Sequence, residues 1–334
     1  LEQTEGQLED IPFVAGLSQD IVVGVDDDAS NTLATEIVAK YDSDGTLLWT
    51  VSVEGSAVEG LGVAIGGAGS LVVGGWFEGT VDFDPAAAHP GTSDVLTSQG
   101  ERDLFMLSID SATGNFQWVS QAGGTGADFF EGIDVDSDGN VYIAGYIWSA
   151  TADFGTHQVD NPANVTGYVA KLDATGSFLW ANGIGDIPGG GTFDNGWAVA
   201  YDVAVDPTDE SVYVGGMFAE NAEFESTDAV SMTRATVGDR DAYIAKYSSD
   251  GVVLRVDQFG AVANSTYDHL MRVYVRALAV DTVGNVYAAG NFGAMSTGSS
   301  YPIPGTIDLE PGHGTAERTE VGSWDGFVVK LDSD

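Results

Sequence analysis

Residues 131–146 read Glu-Gly-Ile-Asp-Val-Asp-Ser-Asp-Gly-Asn-Val-Tyr-Ile-Ala-Gly-Tyr. Two runs rich in strand-forming residues flank the polar segment Asp136-Ser-Asp-Gly-Asn140. A glycine there supplies the positive φ that a tight hairpin turn needs. The spacing therefore predicts two antiparallel strands joined by a short turn. Asp134-Val-Asp-Ser-Asp-Gly139 also matches the opening of a calcium loop, D-x-D-x-D-G. Its twelfth position is Gly145 where such a loop needs a bidentate Glu, and Val141-Tyr-Ile is strand sequence. The hairpin turn is the better reading.

The unit recurs. Versions of this first hairpin, strands A and B, lie at Phe13–Val25, Gly62–Gly75, Ile133–Gly145, Val203–Gly216 and Leu278–Gly290. Each is followed by a second hairpin, strands C and D, near 36–53, 103–120, 167–182, 241–257 and 325–334. The second hairpins carry turn glycines Gly45, Gly114, Gly176 and Gly251 and end in Trp49, Trp118, Trp180 or Arg255. Strands B and C are almost continuously apolar, as sheets buried on both faces are. Five four-stranded antiparallel units at this spacing predict an all-β chain, one β-propeller domain over residues 1–334.

The fifth unit stops inside its C–D turn. Gln3-Thr-Glu-Gly6 lines up with Ser52-Val-Glu-Gly55, the end of a strand D. The N-terminal strand is thus expected to supply the missing outer strand and close the ring, which removes exposed strand edges. Two alternatives stay open. The chain is a piece of a longer array, or its terminal strand pairs with a neighbouring molecule to give an oligomer or filament.

Composition narrows the partners. The 334 residues hold 51 acidic and 11 basic side chains, a formal charge of −40. Nucleic acid and anionic membrane surfaces are disfavoured, because both are polyanions. There is no cysteine, which excludes disulfides and thiolate metal sites. No apolar run is long enough to span a membrane, and the chain opens without a signal-peptide pattern.

Phe77-Glu-Gly-Thr-Val-Asp-Phe-Asp-Pro85, the Lys-Leu-Asp…Gly…Trp blocks, Gly123-Gly-Thr-Gly-Ala-Asp128 and Asp138-Gly-Asn-Val-Tyr142 resemble the SBBP family of bacterial β-propeller repeats. The likeness runs over nearly the whole chain. It implies a propeller, and it implies a secreted or surface-exposed bacterial protein. The family is named for seven blades, whereas this chain shows five units.

Binding residues are expected on the face that carries the long B–C and D–A connections, since sites lie on variable loops held by a rigid scaffold. The D–A connections place an acid before each strand A: Asp10, Glu59, Asp128, Asp194 and Asp268. If the A strands line the axis, these carboxylates face one mouth of the channel and form a candidate Ca2+ site. The competing reading is that each Asp caps a turn. A second acidic set, Asp82/Asp84, Glu223/Glu225 and Asp308/Glu310, straddles Phe or Leu and reads as a solvated edge over a buried ring. Trp197, Tyr267, His269 and Trp324 are the candidate ligand-binding residues, because they fall outside the repeating Trp register. Lys40, Lys171, Lys246 and Lys330 share one strand C position, and pairing with Asp136, Asp206 and Asp281 is expected for the last three.

No catalytic signature is present: no Gly-x-Ser-x-Gly, phosphate loop or clustered histidines. The expected function is a non-enzymatic extracellular binding or adhesion module on a bacterial surface. It requires no cofactor, takes Ca2+ as its candidate stabilising ion, and has a protein or polysaccharide partner. The alternative is a glycoside hydrolase or polysaccharide lyase with paired carboxylates at the channel mouth.

Overall fold

The computed structural model describes residues 14–17, 20–24, 34–66, 69–85, 94–162, 164–186, 197–262, 271–294, 306–309, 316–319 and 324–332. All regular structure among them is β. The first unit comprises β1 (Val14–Leu17), β2 (Asp20–Gly24), β3 (Ala34–Tyr41) and the first half of β4 (Leu47–Ile65), paired in that order. The second takes the other half of β4, then β5 (Ser70–Asp82), with β6 (Val95–Thr97) beside it, then β7 (Asp103–Asp110) and β8 (Phe116–Gly124). The 19-residue β4 is therefore the outer strand of one unit and the inner strand of the next.

The third unit is β9 (Asp128–Val135), β10 (Val141–Ile147), β13 (Thr166–Leu172) and β14 (Phe178–Asp186), with a hairpin β11 (Thr151–Phe154) and β12 (His157–Asp160) between β10 and β13. The fourth is β15 (Trp197–Val205), β16 (Val212–Ala219), β19 (Asp241–Tyr247) and β20 (Val253–Phe259), with β17 (Asn221–Phe224) and β18 (Met232–Ala235) as its hairpin. The fifth is β21 (Met271–Val280), β22 (Val286–Ala294) and β25 (Asp325–Leu331), with the hairpin β23 (Thr306–Asp308) and β24 (Glu317–Thr319). The expected four-stranded blades and their A–B–C–D order are present. Closure of the ring by the N-terminal strand falls on residues outside those described, and β25 has β22 as its strand partner among the described residues.

The sequence pattern of four strands per unit misses one element. In the last four units the B–C connection forms a small hairpin that is added to the outer strand of the preceding blade. The hairpin β11–β12 pairs with β8, and β17–β18 pairs with β14. The end of β5 pairs with β4 at Gly55–Val81, and Ala261 bridges Ile307. The second acidic set belongs to these hairpins. Val81 and Phe83, Ala152 and Phe154, Ala222 and Phe224, and Ile307 and Leu309 are all buried. Alternation in a strand puts the intervening acids on the other face. Burial of each phenylalanine contributes roughly 2–3 kcal/mol and holds two blades together.

Blades are also latched at the C–D turns. Trp118 Nε1 donates to Ala174 O at 3.0 Å and Trp180 Nε1 to Ser249 O at 3.1 Å, each in the turn of the next blade. Gly176 lies against the Trp118 ring with φ of 85°, so a side chain there would be strained and would collide with the indole.

The strand C lysines do not share one partner. Lys171 Nζ lies 3.5 Å from Asp136 and donates to Ser249 O at 3.2 Å, and both side chains of that ion pair are buried. Lys246 pairs with Asp209 at 3.3 Å rather than with Asp206, whose Oδ1 accepts from the amide and hydroxyl of Thr208. Lys330 lies over the Tyr287 ring, and Lys40 donates to Ser111 O at 3.0 Å.

Lys171→Met should lower stability by about 3 kcal/mol, because it strands a buried carboxylate. Lys246→Met should cost less than about 1 kcal/mol, since half-exposed Asp209 keeps its water. Paired thermal melts check this, and equal shifts for the two variants would contradict it.

Candidate functional site

The inner strands share a distortion that places side chains at the axis. In each of the last four units strand A carries one extra residue relative to strand B. The register skips Leu61, Glu131, Tyr201 and Arg276. Strand B has a glycine opposite each bulge, at Gly75, Gly145, Gly216 and Gly290. A Cβ on Gly145 would sit 2.1 Å from Phe129 O, and the other three glycines meet the equivalent carbonyls as closely. Only glycine permits strand A to fold over strand B this tightly. A bulge re-aims the side chain it carries.

Two of the four bulge residues, Tyr201 and Arg276, come together although they belong to different blades. The Arg276 guanidinium lies 4.1 Å from the Tyr201 ring centroid and 4.6 Å from that of Tyr274. The Arg276 charge also acts on Glu131. β15 and β21, the inner strands of the fourth and fifth units, thus bring these side chains together. Leu61 packs instead against the apolar cluster around Phe130.

Above this layer, toward the long connections, rings and cations alternate. Arg102 lies flat on Trp76 at 3.9 Å and within 5.9 Å of Phe129. Phe129 stacks on Tyr146 at 4.5 Å and touches Trp148 at 4.8 Å. Arg240 covers Trp197 at 4.5 Å, and Trp324 lies 5.7 Å from Tyr274. Arg272 and Arg240 share Asp239, at 2.6 and 3.7 Å. Trp324, Arg102 and Arg240 occupy one repeat position, the residue just before strand C.

The structure thus places Trp197 and Trp324 at this mouth, on either side of the Tyr201–Tyr274 pair. Tyr267 and His269 lie outside the described residues, as do Asp10, Asp194 and Asp268. Glu59 is half-buried on β4 opposite Trp76. Asp128 is fully buried, and its carboxylate accepts from the Gly124 amide at 2.8 Å, the Ser149 hydroxyl at 2.8 Å and the Ser149 amide at 3.2 Å. That is the turn-capping geometry. Among the described residues no three His, Cys, Asp or Glu side chains are grouped to hold a metal ion. Sequence reasoning missed Arg102, Glu131, Tyr146, Tyr201, Tyr274 and Arg276. Two signals were available: the strand B glycines, and arginines kept beside aromatics in a strongly acidic chain.

The carboxyl groups here are unusual. Desolvation pushes Glu131 up to about 7 against the pull of Arg276. Glu131 is nevertheless exposed to solvent. Desolvation also pushes Asp128 and Asp202 up to about 6, against the amides and hydroxyl they accept. Asp202 and Asp134 stitch neighbouring inner strands, accepting from Leu278 N at 2.7 Å and Val205 N at 2.8 Å.

These folded values lie above the unfolded values of about 4. Between them the folded state holds more protons, so stability falls as pH rises from about 4 to about 7. The melting temperature should be higher at pH 5 than at pH 8, and Glu131→Gln should narrow the difference. A higher melting temperature at pH 8 would contradict this. Asp281, held at about 2 by Asn285 and turn amides, loses its contribution only in stronger acid.

A family model described as SBBP, beta-propeller repeat, matches residues 117–152. That segment runs from β8 through β9 and β10 into β11. An uncharacterized WD repeat-containing protein of Acanthamoeba polyphaga mimivirus is 22% identical over 249 residues. The match covers 67% of this chain and 17% of that protein, so this chain spans a small part of the relative's length. Among solved structures the chain is similar to the quinohemoprotein alcohol dehydrogenase from Comamonas testosteroni, at 14% identity and a TM-score of 0.43, covering 89% of this chain and 42% of that one. It is also similar to a europium-containing methanol dehydrogenase, at 10% identity and a TM-score of 0.39, covering 93% and 71%. Residues 117–152 carry an SBBP β-propeller repeat, in a chain whose other units repeat its strand pattern.

Proposed function

We propose that the protein is a non-enzymatic binding module, and that the mouth at the long-connection end of the propeller is its binding surface. The observation that carries this is the gathering of Trp76, Phe129, Trp148, Trp197, Tyr274 and Trp324 with four of the seven arginines at one end of the inner strands. Recognition sites combine ring faces with a few oriented polar groups in this way. Trp148 and Trp324 are 52% and 45% exposed, so their faces are open to a partner. A polysaccharide fits such a surface, because sugar rings stack on aromatic faces while their hydroxyls take hydrogen bonds. Display at a bacterial cell surface, and self-association through terminal strands, are parts of the same proposal. They rest on the resemblance to the repeat family.

One observation favours the hydrolase or lyase alternative: a carboxyl raised to about 7 in a channel has the pKa of a general acid. Catalysis by paired carboxylates needs a second free one about 5–10 Å away. Of the described inner-strand acids, Asp128, Asp134 and Asp202 are engaged by backbone amides, and Glu59 is half-buried on β4. Binding without turnover therefore has more support.

Trp197→Ala and Trp324→Ala should each weaken binding on a polysaccharide array by at least about tenfold, roughly 1.4 kcal/mol, with melting temperatures near that of the parent. Reducing-end assays on the same glycans should show no turnover. Hydrolysis that is lost in Glu131→Gln would establish the enzyme instead. Calcium dependence is a separate part of the proposal, carried by the acids before the A strands. A melting temperature unchanged between Ca2+ and EDTA removes it.

A further inference from the structure

We infer that the mouth selects an oxyanion-bearing sugar, with Arg102 and Arg276 as the groups that receive the oxyanion. This rests on the reading of the mouth as a glycan-binding surface and names the class of glycan.

The chain has 51 acidic side chains and 11 basic ones. An arginine in such a chain is expected to lie beside a carboxylate. Arg240, Arg255 and Arg272 do, with Asp239, Asp257 and Asp239 respectively. Arg102 and Arg276 form no ion pair among the described residues. Each is held by rings: Arg102 on Trp76, and Arg276 against Tyr201 and Tyr274. Stacking uses the face of a guanidinium; Arg276 also hydrogen-bonds the Tyr201 side chain, which leaves the rest of its five N–H donors, and those of Arg102, to receive an oxyanion. A preorganised fork of this kind matches the oxygens of a carboxylate or sulfate.

The two arginines belong to one band. Arg102 reaches Phe129, which stacks on Tyr146, and Tyr146 is coupled electrostatically to Glu131 and Tyr201, the neighbours of Arg276. The large exposed side chains beside the band, Trp148 and Trp324, are aromatic. The exposed leucines Leu47, Leu48, Leu179 and Leu254 lie on outer strands. Ring faces flanked by fixed cations suit a sugar ring that carries an acidic group.

The net charge of −40 opposes a polyanion at a distance, but at physiological salt that field is screened beyond about 8 Å. Within contact range the local cations decide. The remaining charged group of the channel layer is Glu131, which would oppose an anion when ionised. Its neighbours on the packed strands are Tyr146, Tyr168, Tyr201 and Arg276.

The test is calorimetric titration of the whole chain at pH 6 with hexagalacturonate, a sulfated oligosaccharide of the same length, cellohexaose and hexaglutamate. Binding of the uronate or the sulfated sugar at least about tenfold tighter than cellohexaose is expected, and the tighter of the two names the source of the oxyanion. Arg102→Gln and Arg276→Gln should each remove most of that preference, with Arg234→Gln, away from the mouth, as the control. Arg102 is half-exposed, so its variant decides the matter should the Arg276 substitution unfold the chain. Equal binding of cellohexaose with no effect of the arginine variants overturns the oxyanion inference, while loss of that binding in Trp197→Ala preserves the mouth as the site. Hexaglutamate binding as tight as the sugars overturns the commitment to a glycan. No sugar binding at all, or binding untouched by Trp197→Ala, overturns both readings.

Discussion

The architecture of the channel depends on one close approach. In four blades a strand A carbonyl folds over a strand B glycine at a distance that no Cβ tolerates. That contact forces one extra residue into strand A and aims it inward. Tyr201 and Arg276 meet for this reason, although they lie on separate sheets. A side chain on any of these glycines would force the inner strand away, and with it the residues that line the axis.

The two ends of the molecule spend their polar groups differently. At the short-turn end the carboxylates are consumed locally. Asp136 accepts from the amides of Asp138 and Asn140 and from the Asn140 side chain, and Asp173 accepts from those of Thr175 and Ser177. These carboxylates fix turns, and the Asp173 turn accepts from the Trp118 indole of the preceding blade. At the other end Arg102 and Arg276 are stacked on rings, and Arg276 also hydrogen-bonds the Tyr201 side chain. The first end is built for cohesion. The second has the composition of a recognition surface.

Most of the fold was legible in the sequence because it repeats. Gly in four C–D turns, apolar B and C strands and the recurring Trp are local signals, and five copies leave little room for another architecture. The B–C hairpins were harder to see. Their signal, an apolar residue at every second position as in Ala152-Asp-Phe154, is only three residues long. Whether such a strand joins its own blade or its neighbour is a tertiary matter. The candidate site was legible in part. Trp197 and Trp324 stand out because they break the Trp register. Arg276 and Tyr201 do not, since their meeting depends on bulges in strands of different blades. The acids before the A strands looked like ligands in the sequence because spacing cannot tell a cation site from a turn cap. Asp128 shows the turn cap.

The central claim is that recognition is confined to the long-connection mouth while the short turns serve cohesion. Amide hydrogen exchange, followed with and without hexagalacturonate, measures this directly. The account predicts added protection in the segments around Arg102, Phe129–Glu131, Trp197–Tyr201 and Arg272–Arg276, and unchanged exchange in the turns Asp42–Thr46, Asp110–Asn115 and Asp173–Ser177. Protection concentrated in those turns, or no protection anywhere, would contradict it.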